Sequence, residues 1–61
     1  MPHYDYKVRR AWIDNDANVT ESKRATTIFC GEKLNIGGLY FLGYKRRLYR
    51  IVELLSVIEC E

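Results

Sequence analysis

Apolar and polar positions alternate strictly over Tyr4-Asp5-Tyr6-Lys7-Val8-Arg9, the period of a half-buried β-strand. Tyr4, Tyr6 and Val8 share one face and Asp5, Lys7 and Arg9 the other. Past Arg9 the phase slips: Arg10 falls on the apolar side, while Ala11 and Ile13 fall opposite. A bulge near Arg9-Arg10 restores the pattern, because one added residue moves every later side chain to the other face. The alternation predicts a strand over about 4–13.

Asp14-Asn15-Asp16-Ala17-Asn18 then reads as a turn, since Asx side chains bond their own backbone and tolerate left-handed conformations. Residues 19–24 are polar, carry no sustained period, and are read as a loop. Ala25-Thr26-Thr27-Ile28-Phe29-Cys30 has the β-branched and aromatic content that suits a pleated surface. Gly31-Glu32 before Lys33-Leu34-Asn35-Ile36 is the pattern of a two-residue hairpin turn. After Gly37-Gly38, the run Leu39-Tyr40-Phe41-Leu42 and the segment 47–55 read as a second hairpin, with Gly43-Tyr44-Lys45-Arg46 at its cationic tip.

The C-terminal segment fits two templates. Leu48, Ile51, Val52, Leu55 and Ile58 have the spacing of an amphipathic helix. Yet polar residues recur at 47, 50, 53, 56 and 59, a period of three that belongs to neither helix nor strand. Lys45, Arg46 and Arg47 are poor helix caps, which favours the strand. The fold expected is therefore mainly β: a small antiparallel sheet, a meander or SH3-like barrel of 4–5 short strands. The alternative is α+β, with a C-terminal helix at about 46–59 on a 3–4-stranded sheet. No linker or repeat divides residues 1–61, which read as a single compact domain.

With 61 residues, the chain hides only about 60% of the surface its unfolded form exposes. A reaction chamber of about 300 Å³ or more is hard to enclose in so little sheet, so the expectation is a protein that is not an enzyme. Cys30 and His3 have no sequential relation that would make a catalytic pair. Asp14-Asn15-Asp16 lacks the glycine and distal glutamate of a calcium loop, and His3, Cys30, Cys60 and Met1 are too few for a zinc site. No cofactor or metal is expected. Cys30 and Cys60 are read as free thiols of a reducing compartment. The start of the chain has no charged and apolar regions of a signal peptide, and no apolar run approaches a membrane span. The expected location is the cytoplasm.

What remains is aromatic and basic. Ten Lys and Arg against eight Asp and Glu leave a net charge of +2, but the distribution matters more. Lys45, Arg46, Arg47 and Arg50 fall within six residues, between and beside Tyr44 and Tyr49, and Glu53, Glu59 and Glu61 follow. Five tyrosines, one tryptophan and two phenylalanines exceed what a small sheet can bury, so several are expected at the surface. Exposed Tyr, Trp and Arg are the residues of interface hot spots. The candidate partner-binding set is Tyr44, Lys45, Arg46, Arg47, Tyr49, Arg50, Trp12 and Arg10. Replacing Arg46 and Arg50 together is expected to abolish partner binding with little change in stability.

Two function classes follow from these residues. One is a non-catalytic protein-interaction module that presents an aromatic-basic patch to a larger protein or nucleoprotein complex. The other is a small-barrel nucleic-acid binder, disfavoured because the acidic residues blunt the field that phosphate contacts require. Chains this short and without ligand chemistry are often encoded by phages or mobile elements. An inhibitor of a host nuclease or defence complex, of the anti-CRISPR kind, is the corresponding expectation, with the host cytoplasm as its site. An unpaired strand edge would also allow a homodimer.

Overall fold

In a computed structural model, which describes residues 1–43 and 45–59, the chain is all strand and turn, with no helix among the described residues. Pro2–Ile13 forms β1, Val19–Cys30 β2, Leu39–Leu42 β3 and Arg47–Glu59 β4. One antiparallel sheet results, in the order β2-β1-β4-β3, curled into a half-barrel. It is mainly β, as the alternation predicts, and the segment proposed as an alternative helix is the longest strand. The order is not a meander. Three of the four strands are long, and the greatest extent of the molecule is 44 Å.

The β1–β2 hairpin turns where the Asx cluster predicts. Asp14 Oδ1 accepts the backbone N–H groups of Asp16 at 2.9 Å and Asn18 at 3.0 Å, and Ala17 takes the left-handed conformation at φ 63°. Residues 19–24, read above as a loop, are the first half of β2. They form the outer edge of the sheet, and among them only Ser22 is as much as half-buried, so no apolar period marks them. The slip foreseen near Arg9-Arg10 is present, but the extra residues lie on β2. Arg9 pairs with Ala25 and Ala11 with Glu21, so Arg10 alone faces the stretch Ser22-Lys23-Arg24.

The period of three in β4 has a structural cause. In the ladder with β1, Asp5 pairs with Ser56 and Tyr6 with Leu54, which leaves Leu55 over. Lys7 pairs with Glu53 and Val8 with Ile51, which leaves Val52 over. Each bulge adds a residue to the usual step of two. Arg50, Glu53 and Ser56 thereby share the face of Arg9, Lys7 and Asp5, and Ile51, Leu54 and Val57 share the face of Val8, Tyr6 and Tyr4.

That second face carries the core, made of Tyr6, Val8, Ile28, Leu42, Tyr49 and Ile51, with Tyr4, Cys30, Leu34 and Tyr40 packed around it. Cys30 is a half-buried free thiol whose Sγ donates to the Glu32 carbonyl. Cys60 lies outside the described residues. Gly31 does not open a hairpin, because 33–36 is not a strand. The segment 31–38 carries the chain from β2 at one edge to β3 at the other. The Tyr6 hydroxyl fastens it, accepting the Leu34 N–H at 2.8 Å and donating to the Leu34 carbonyl at 3.3 Å. Gly37 and Gly38 then bond to both backbone groups of Ile51.

Candidate functional site: an arginine and aromatic cleft at the strand fork

The last pair of the β1–β4 ladder is Ala11 with Leu48. Beyond it the two strands part. Trp12 and Ile13 stay with β2, opposite Thr20 and Val19, while Arg47 stays with β3, opposite Leu42. An open cleft of about 390 Å³ lies at this fork, lined by Arg10, Ala11, Trp12, Ile13, Phe41, Arg46, Arg47 and Leu48. Three arginines and two large aromatic residues are thus among the residues that border one depression, and none of its described lining residues is acidic.

Trp12 lies beyond the last β1–β4 pair and is 47% exposed; Phe41, 59% exposed, owes its exposure to the face of β3 it occupies. Leu39 and Phe41 are on the face of β3 opposite to Tyr40 and Leu42, which meet the core. The turn from Gly43 into β4 is held by the Lys45 N–H on the Leu42 carbonyl and the Arg46 N–H on the Gly43 carbonyl, both at 3.2 Å. Arg46 is left-handed, at φ 53°. A residue with a Cβ meets a penalty of about 1–2 kcal/mol there, so turn geometry alone favours glycine at this position.

The eight candidate residues separate into groups. Arg10, Trp12, Arg46 and Arg47 come together at the cleft, and Lys45 is exposed in the adjoining turn. Tyr49 does not belong to the surface: it is 3% exposed and sits in the core, on the face that pairs it with Tyr40. Arg50 is tied into the fold. Its Nη1 donates to the Gly37 carbonyl at 2.6 Å, and its Nε lies 3.5 Å from a Glu21 carboxylate oxygen. It therefore joins β4, β2 and the crossing segment, and the expectation that Arg50 could be removed at little cost in stability is corrected. Tyr44 lies outside the described residues. Ile13, Phe41 and Leu48 were missed in the sequence. A signal existed in Leu39-Tyr40-Phe41-Leu42, since a strand covered on one face must expose alternate members of an apolar run.

Among the described residues, no three His, Cys, Asp or Glu side chains gather as a metal site would require. No helix among them is long and apolar enough to cross a membrane. A scan of family models, a search of curated proteins and a search of solved structures each found no match to this chain.

Proposed function

We propose that this chain is a non-catalytic interaction module whose contact surface is the cleft at the strand fork, and whose partner is a larger protein or nucleoprotein with an acidic face. The observation that carries this reading is the convergence of Arg10, Trp12, Arg46 and Arg47 on one depression with no carboxylate among its described lining residues. Trp and Arg supply the large, rigid or forked contacts that dominate binding energy at interfaces, and unopposed cations speed encounter with an acidic surface. An open cleft between two hairpin ends suits a protruding acidic segment better than a small molecule, which needs most of its surface enclosed. The mode of action in this reading is occupancy. The protein inhibits its partner by covering a surface, as a phage- or mobile-element-encoded inhibitor of a host defence complex does in the host cytoplasm.

The same lining favours one other reading. Trp12 and Phe41 offer faces for unpaired bases, and the three arginines offer contacts for phosphates. Affinity capture separates the two. Tagged chain is incubated with host lysate, with and without nuclease, beside a variant carrying Trp12→Ala, Arg46→Ala and Arg47→Ala. The expected result is a protein retained by the natural chain in both lysates and lost with the variant. Equal capture by the variant would remove the cleft from the function. Tight binding of a bare oligonucleotide, with an affinity falling linearly in log salt, would establish the nucleic-acid reading instead.

A further inference from the structure

The cleft at the fork has two chemically different sides, and strand parity assigns them. Residues opposite each other in a ladder share a face of the sheet, and neighbours along a strand alternate between faces. Arg10 pairs with Tyr49 and Arg47 with Leu42, so these arginines and Trp12 lie on the face that carries the core. Ala11 and Phe41 both pair with Leu48, so they and Ile13 lie on the other face. One side of the cleft is thus cationic and aromatic, and the other is apolar. We propose that the cleft takes an extended segment of the partner in which apolar and acidic residues alternate, lying along β1 in the place that β4 leaves. This inference rests on the cleft being the contact surface and adds the chemistry of what enters it.

The backbone supplies a second, independent observation. The Asp14 N–H donates to the Asn18 carbonyl at 3.0 Å, so the backbone groups of Asp14 point to β2. Direction reverses from one residue to the next along a strand, so the N–H and C=O of Ile13 point away from β2 and into the fork. The β1–β4 ladder has already closed at Ala11 and Leu48, and no described residue of β4 pairs with Ile13. The same count from Ile51, whose backbone groups bond Gly37 and Gly38, turns Leu48 towards Ala11 and agrees with that closing pair.

A donor and an acceptor left open at the side of a strand are met in register by another extended chain. Such a chain offers its side chains to the two sides of the cleft in turn. Acidic residues then meet Arg10 and Arg47, where a carboxylate can accept two parallel N–H bonds from one guanidinium. Apolar residues meet Ile13, Phe41 and Leu48. Arg46 adds a third cation to the lining while holding its backbone at φ 53°, an unfavourable conformation of the kind that persists at ligand clamps. Phosphates would match the arginines alone, whereas the paired N–H and C=O of Ile13 call for a peptide.

Amide NMR of the full chain, titrated to millimolar concentration with the end-blocked peptide Val-Glu-Val-Glu-Val, tests the proposal. The expected result is saturable shifts at the Ile13 and Leu48 amides, with slowed exchange of the Ile13 N–H. The same composition in the order Val-Val-Glu-Glu-Val should bind about tenfold more weakly, as should the alternating peptide to a chain carrying Arg10→Ala and Arg47→Ala. Arg46→Gly should weaken binding while raising Tm, since glycine relieves the left-handed backbone. Absent binding, equal binding of the two peptides, shifts that spare Ile13, or tighter binding of an oligothymidylate would each overturn the proposal. Adding the alternating peptide to the lysate capture separates this inference from the reading it rests on. A partner that needs Trp12, Arg46 and Arg47 but is not displaced by the peptide overturns the inserted strand and leaves the cleft as contact surface. A partner that needs none of the three removes both.

Discussion

Replacing Tyr6 by Phe isolates the bond that holds the crossing segment to the sheet. The ring is 1% exposed and stays in place, so no cavity opens. What disappears is one oxygen that accepts the Leu34 N–H and donates to the Leu34 carbonyl. A hydrogen bond between neutral groups contributes about 0.5–1.5 kcal/mol net, so two give about 1–3 kcal/mol. Leu34 is only half-buried, and water entering there recovers part of that loss. The expected cost is therefore about 1–2 kcal/mol, or a fall in Tm of roughly 4–15 °C for a chain of this size. Urea denaturation at matched protein concentration measures it, with an unchanged m-value showing that the same surface unfolds. Amide exchange should accelerate across 33–38 before it does in β1. Tyr4→Phe is the control and should change stability by less than about 0.5 kcal/mol. A Tyr6→Phe variant as stable as the natural chain would refute the role given to this hydroxyl.

Two further substitutions test local features. Ala17→Gly relieves a left-handed residue at φ 63° and should stabilise the protein by about 0.5 kcal/mol, the remainder after glycine's greater freedom in the unfolded chain; a loss of stability on urea titration would contradict this. Arg50→Ala removes the bond to Gly37 and the ion pair with Glu21 and should cost about 1–2 kcal/mol, discounted for partial exposure. Arg47→Ala, at the exposed cleft, should stay within about 0.5 kcal/mol. Equal effects of the two arginine substitutions would place Arg50 on the surface with the others.

Where local chemistry decides structure, the sequence was readable. The alternation of Tyr4, Tyr6 and Val8 marks β1 because that strand has a covered face along most of its length. The Asp14–Asn18 turn was legible because its bonds are made within five residues. Val19 to Arg24 gave no signal, since an edge strand with both faces open has no burial for the sequence to record. Gly31 misled for a different reason: whether a strand returns beside its predecessor depends on β4 pairing with β1, a contact between the two ends of the chain. The period of three in β4 was visible, and only the register shows it to be two bulges at Val52 and Leu55. At the site, Trp12, Arg10, Arg46 and Arg47 could be chosen by residue type. Their meeting at one fork, and the withdrawal of Tyr49 into the core and of Arg50 to the Gly37 carbonyl and Glu21, came from pairings between distant segments that no single segment specifies.

The cleft's role is tested most directly by photo-cross-linking. A photoreactive amino acid replaces Trp12 or Phe41 at the fork, or Thr27 or Glu32 well away from it, and each version is irradiated in host lysate. One shared protein adduct from positions 12 and 41, absent from 27 and 32, is the predicted result. Adducts confined to 27 and 32 would contradict the claim that this protein works through the opening between its two hairpins.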